Sequence, residues 1–242
     1  MTVLASYPIH TFRHLAENHP LWKHPFLAKC RARQLTLAEV RCLAVGMYQF
    51  SKEFNRILAG IMSCCSDESV QLVILENLYD EMGQGDPTRS HPALFRRFTR
   101  ELDIDDATLE ALPVSGETRS LIETYLSLPH QYGYLAALGA VCFASEGIVN
   151  ALYGQLQTGI AGAASFPPES LIFFDLHIDL DGDHAAKLEA ILEPQIGTAE
   201  EAKRMQRAIS SAMNARVRFF DGIDRQAAEL GSSENWLVVL AS

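Results

Sequence analysis

The stretch Phe173-Phe174-Asp175-Leu176-His177-Ile178-Asp179-Leu180-Asp181-Gly182-Asp183-His184 decides how the chain is read, because it admits two readings with different consequences. As a helix it places His177, Asp181 and His184 at i, i+4 and i+7, two imidazoles and a carboxylate above one another on one face. As a calcium loop it would use Asp179, Asp181 and Asp183 at positions 1, 3 and 5 of an EF-hand. Position 6 would then be His184, where a glycine is needed, and position 12 would be Ala190, where a glutamate is needed. The helix reading stands, from Glu169 to about Leu192, with Asp179 and Asp183 pointing away from the His177 stripe. Gly182 weakens such a helix by about 1 kcal/mol and allows a local bend between Asp181 and His184.

Outward from this stretch the chain reads as helix after helix. Thr36 to Glu39 has the form of a capping box, and apolar residues then recur at helical spacing from Val40 to Ile61, predicting one long helix over roughly 36–64. Ser66-Asp67-Glu68-Ser69 reads as a turn and N-cap for a helix ending near Glu81, where Gly83-Gln84-Gly85-Asp86-Pro87 forbids continuation. Ser90-His91-Pro92 starts another, which runs out in the acidic turn Asp103 to Asp106. A helix from Ser115 is expected to stop at Pro129, and the next to run from His130 towards Gln157, with 159–164 and Pro167-Pro168 as a loop. Thr198 to Glu201 repeats the capping box ahead of a last amphipathic helix reaching about Ala228. A short helix over 8–18 and two bends at His19-Pro20 and His24-Pro25 complete the set. Only Trp236 to Leu240 looks strand-like, so the expected class is all-α, in a single domain over 1–242.

A formal charge of -10 with a pI near 5.2 argues against nucleic acid or an anionic membrane surface as partner. No signal-like opening and no uninterrupted apolar run approaching the roughly 20 residues of a bilayer span is read. The expectation is a cytoplasmic protein with neither membrane nor nucleic acid as partner. Five scattered cysteines without a CxxC pair read as reduced, buried thiols. Met205, Ile209, Met213, Val217 and Phe220 could serve either the core or a homodimer interface.

Polar residues inside otherwise apolar helices carry the chemistry. Glu146 sits in Leu138-Gly139-Ala140-Val141-Cys142-Phe143-Ala144-Ser145-Glu146-Gly147-Ile148-Val149, and an ionised carboxylate there needs a cation or a metal. No Lys or Arg occurs from 120 to 186 to supply a nearby ion pair. Glu81 ends its helix just before a glycine break that lets His91 fold back towards it. With the His177, Asp181, His184 stripe these make six nitrogen and oxygen ligands and no thiolate, a set that favours two iron ions over zinc, with manganese as a lesser substitute.

The ordered set Asn77-Leu78-Tyr79-Asp80-Glu81, Gly83-x-Gly85-Asp86, Ser90-His91, Glu146 and His177-x3-Asp181-x2-His184 resembles the haem-oxygenase-like di-iron oxidases and oxygenases. The resemblance extends to His24-Pro25-Phe26-Leu27 and covers about 20–225. It implies a seven-helix haem-oxygenase-like bundle and metal ligands Glu81, His91, Glu146, His177, Asp181 and His184. It also implies two labile ferrous ions that activate O2 to oxidise a small substrate, an amine or amino-acid derivative, by N-oxygenation or oxidative carbon–carbon cleavage. Some nitrogen-oxygenating members carry a further carboxylate on the first long helix, and Glu53 stands near that place, though Lys52-Glu53 reads equally as a solvated pair. The alternatives are a metal-independent hydrolase resembling thiaminase II, with Cys142 as nucleophile, and a non-catalytic helical interaction protein. Against the first, free cysteine on an apolar helix is ordinarily an inert core thiol.

Overall fold

The structure, a computed structural model, describes residues 8–179 and 182–231, with the side chains of residues 179, 182 and 183 outside the description. Asp181 and the strand-like tail Trp236 to Leu240 lie outside the described residues. Among those described there is no strand, and the helices are α1 (His10–Glu17), α2 (Pro25–Arg31), α3 (Leu37–Ser63), α4 (Glu68–Glu81), α5 (His91–Arg100), α6 (Asp106–Ala111), α7 (Gly116–Tyr132), α8 (Tyr134–Ala163), α9 (Ile172–Asp179), α10 (Gly182–Leu192) and α11 (Ala199–Leu230). That is eleven α-helices rather than seven, because short helices lead into and connect the long ones.

Capping places the long helices where the sequence marks them. Thr36 and Thr198 each accept from the third residue's amide while Glu39 and Glu201 bond back, so both boxes form. Asp67 caps α4. Both His-Pro steps begin helical turns, for His19 and His24 turn their Nδ1 onto the amides of Leu21 and Phe26 while proline fills the first position. Buried apolar side chains form one cluster, within which α11 packs on α7, α8 and α3, α2 on α8, and α10 on α4. Met205, Ile209, Met213 and Phe220 lie inside that cluster, so α11 spends its apolar stripe on the core.

Four boundaries differ from expectation. Pro129 lies inside α7, which continues to Tyr132 and ends at Gly133, held at φ 87°. Residues 159–163 are helix, not loop: Gly159 and Gly162 let α8 press on α2, where an added Cβ would lie 2.8 Å from Cys30 Cα and 2.7 Å from Arg33 Cβ. The acidic turn near Asp106 leads into a further short helix, α6, capped by Asp105. The expected helix over 169–192 is described as two, α9 and α10.

By length and mean hydropathy Tyr134–Ala163 is apolar enough to cross a membrane, although Ser145, Glu146 and Asn150 interrupt its apolar run. Yet 78% of its most apolar window is buried inside the structure, as the core helix of a bundle requires. Its middle departs from α geometry: Cys142–Glu146 is a π-turn. The amide of Gly147 reaches back to the carbonyl of Cys142, and a Cβ on residue 147 would stand 2.7 Å from that oxygen. At the turn the Ala144 carbonyl accepts from Tyr125 Oη at 2.7 Å and Arg216 Nε at 2.8 Å.

Candidate metal centre

Five helices deliver the donors. The spacing Asn77-x2-Asp80-Glu81 puts three polar side chains on one side of α4. Gly83, at φ 80° where a side chain would strike Asp86, then turns the chain back so that His91 opens α5 beside Glu81. Glu146 ends the π-turn of α8, His177 lies on the inner face of α9, and His184 opens α10. Glu81, His91 and His177 are each less than a tenth exposed, and one ligand atom from each falls within 4.8 Å of the other two. Glu146 is equally buried, and its Oε2 is 3.9 Å from His184 Nδ1. Of the six ligand residues anticipated from the sequence, five converge here, and the sixth, Asp181, lies outside the described residues.

Outer partners fix these groups. His177 Nδ1 donates to the Phe173 carbonyl at 2.6 Å, and since that oxygen can only accept, the proton is on Nδ1 and Nε2 keeps its lone pair. Asp80 Oδ2 holds His184 Nε2 at 2.9 Å, leaving Nδ1 on the side of Glu146. Asn77 donates to Glu146 Oε1 at 3.2 Å, and His91 Nδ1 is 2.7 Å from Glu81 Oε2. Asp80 and Asn77 were not assigned roles from the sequence, although their spacing from Glu81 placed them on the same side of α4.

The electrostatics ask for a cation. Burial together with the negative charge of Glu81 pushes the Glu146 carboxyl up to about 7, against an ordinary 4.5. Burial, aided by neighbouring His91, pushes His177 down to about 3, so its ring is neutral and available as a ligand. Burial also works to raise Glu81, but the imidazole of His91 outweighs it and holds the carboxyl below its ordinary value. Two buried carboxyl groups beside three imidazoles, that of His177 held neutral, form a donor set that fits a hard or borderline divalent metal, and iron among them.

Two other residues weighed from the sequence stand elsewhere. Glu53 pairs with Arg56 and lines a separate surface cavity with Lys52, Glu110 and Arg119, not the one containing Glu81 and Glu146. Cys142 is buried with its thiol facing the Ala185 carbonyl at 3.6 Å, and burial raises its pKa well above the ordinary thiol value. It does not line the cavity shared by Glu81, Glu146 and His177.

Residues 41–221 match the family described as an iron-containing redox enzyme. The chain belongs to that family. Among curated relatives of this iron-containing redox enzyme, the 4-aminobenzoate synthase of Nitrosomonas europaea is 28% identical over 219 residues, covering 86% of this chain and 87% of that one. The 4-chloro-allylglycine synthase of Streptantibioticus cattleyicolor is 25% identical over 201 residues, covering 83% and 76%. A solved domain with a haem oxygenase-like fold from Shewanella denitrificans superposes with a TM-score of 0.72 at 16% identity, covering 93% of this chain and 92% of that one. The fold is therefore haem oxygenase-like and all-α, and the protein is an oxidoreductase.

Proposed function

We propose that this chain is a non-haem di-iron oxygenase, a single-domain cytoplasmic protein that uses O2 to oxidise a small amine or amino-acid derivative. The convergence of Glu81, His91 and His177 within 4.8 Å, with Glu146 and His184 facing each other alongside, carries the reading. Glu81, His91 and His177 would hold one ion, and Glu146 and His184, with Asp181 three residues ahead of His184 in sequence, a second. Bound ferrous iron would supply one-electron chemistry and the activation of dioxygen. The chain's own part is to keep His177 neutral through the Phe173 carbonyl, to hold His184 through Asp80, and to steady Glu146 through Asn77. Phe50, Phe54, Val149, Tyr153 and Phe173 line the cavity beside these groups, and such largely apolar walls strengthen the charge interactions inside. The relatives' names, 4-aminobenzoate synthase and 4-chloro-allylglycine synthase, support an amine or amino-acid derivative as substrate.

The test is an anaerobic ferrous titration followed by admission of oxygen. About two equivalents of iron should bind, with an optical change that needs O2 and that His184→Ala loses. Absence of iron binding, or a His184→Ala protein indistinguishable from wild type, would refute the reading. The hydrolase alternative finds no support in Cys142, since a thiol held protonated by burial and turned to Ala185 is a poor nucleophile.

A further inference from the structure

Arg216 lies on the inner side of α11 and is 7% exposed. Its guanidinium carbon stands 5.1 Å from the ring centre of Phe50 and 5.7 Å from that of Tyr125. Nε donates to the Ala144 carbonyl at 2.8 Å, and Nη2 donates to Ser145 Oγ at 2.7 Å and to Tyr125 Oη at 3.4 Å. Every one of these partners is neutral. Among the described residues no Asp or Glu forms an ion pair with Arg216, and Nη1 donates to none of them. A guanidinium stays charged at any physiological pH, and burying it without a counter-charge costs several kcal/mol, of which ring faces and neutral oxygens offset only a part.

The side chain's position gives that unmatched charge a use. Arg216 lines the same cavity as Glu81, Glu146 and His177, and that cavity, about 30 Å³, has room for about two waters, which is the size of a carboxylate group. Its remaining walls are Phe50, Phe54, Val149, Tyr153 and Phe173, together with Ser51 and Ser145. On the other side Arg216 borders a second apolar space with Leu152, Phe219 and Phe220. A positive fork, apolar walls and a set of metal donors thus meet in one place.

We propose that Arg216 binds the carboxylate of the substrate, an amino acid, and so orients that substrate towards the proposed metal donors. The inference rests on the reading of Glu81, His91, Glu146, His177 and His184 as metal ligands. The carboxylate supplies the counter-ion that the fold withholds from Arg216, through a charge-assisted bond from Nη1. An amine lacking the carboxylate leaves that charge buried and unmatched, so selection for amino acids over simple amines follows from the same residue.

Calorimetric titration of the anaerobic, iron-loaded protein with 3-phenylpropanoate and with 3-phenylpropanamide tests this. Wild type should bind the acid about tenfold or more tighter than the amide, the difference expected for a charged hydrogen bond. Arg216→Met should bring the two probes to within about threefold. An acid preference absent from wild type overturns the proposal, and so does one that persists in Arg216→Met, since the metal would then be the anion's partner. Because Arg216 also props the π-turn, Arg216→Lys provides a second arm. Weaker acid binding with unchanged amide binding supports the proposal, and equal weakening of both assigns Arg216 a structural role and overturns it. Iron uptake is measured on the same samples. A protein that takes up no iron but prefers the acid through Arg216 loses the oxygenase reading and keeps this one, and the reverse result loses only this one.

Discussion

At the scale of single residues, Glu146 shows what the site costs when no cation is bound. Its carboxyl titrates near 7 in the fold against 4.5 ordinarily, so the metal-free fold retains a proton that the unfolded chain has released. Stability from this group is therefore full below pH 4.5 and declines as pH rises from 4.5 to 7, by on the order of 3 kcal/mol once the carboxyl is ionised. His177 acts in the opposite sense. Its folded value near 3 against 6.5 means that stability is full above pH 6.5 and declines as pH falls, because the unfolded chain takes up the proton. Glu146→Gln keeps the oxygen that accepts from Asn77 and removes the charge. At pH 8 the metal-free variant should melt at a higher temperature than metal-free wild type, while added ferrous ion should raise the melting temperature of wild type by more than that of the variant, which keeps only the site of Glu81, His91 and His177. A metal-free variant that melts below wild type at pH 8 would show that the buried charge is not the cost described.

At the scale of elements, α8 is shaped by where it has glycine. Gly159 sits where a Cβ would meet the backbone of α2, 2.8 Å from Cys30 Cα, whereas nothing lies within 4 Å of a Cβ at Gly154 on the same helix. The same substitution should thus have opposite signs: Gly154→Ala should stabilise by about 0.5–1 kcal/mol through reduced backbone freedom, and Gly159→Ala should destabilise by about 1–3 kcal/mol because backbone cannot yield as a side-chain tip can. Urea unfolding of both variants reads this, and a matching sign would refute the close approach of α2 and α8. This contact also explains what could be read in advance. Caps and apolar periodicity marked α3, α4 and α11 almost to the residue, because a capping box is a local signal. A glycine pair that admits a neighbouring helix is indistinguishable in sequence from one that ends a helix, so 159–164 reads as a loop although the helix runs to Ala163. The helix expected at His177 forms as α9, with Phe173, Phe174 and His177 buried. Those rings pack against Phe95, Phe98 and Tyr153, contacts that only the folded chain brings together.

At the scale of the whole molecule, residues far apart in sequence meet where no local pattern reports them. The proposed metal donors are legible because Glu81, Glu146 and the histidines are odd residues in their own surroundings. Arg216, Tyr125 and Ser145 are not, since their bonds around the Ala144 carbonyl exist only after α7, α8 and α11 pack. A second such junction joins the two ends of the fold. Lys29 of α2 donates to Glu39 of the α3 capping box and to Asp224 of α11, both at 2.7 Å. Burial works to raise the Glu39 carboxyl, but Lys29 and Thr36 outweigh it and hold it below its ordinary 4.5. Asp224 and Glu39 together raise the Lys29 ammonium above its ordinary 10.5. Glu39 therefore contributes stability above about pH 4.5 that is lost as pH falls through its lower folded value, and Lys29 contributes stability below about pH 10.5 that is lost as pH rises through its higher one. Lys29→Met should cost about 1 kcal/mol at pH 7, since the pair is partly exposed but leaves Glu39 buried without its cation. Its deficit relative to wild type should shrink as pH falls below 4.5 and Glu39 takes up a proton. A deficit of constant size from pH 7 to pH 3.5 would assign the loss to the packing of the lysine's methylene stem, and the charge junction would not be what ties α2 and α11 to the start of α3.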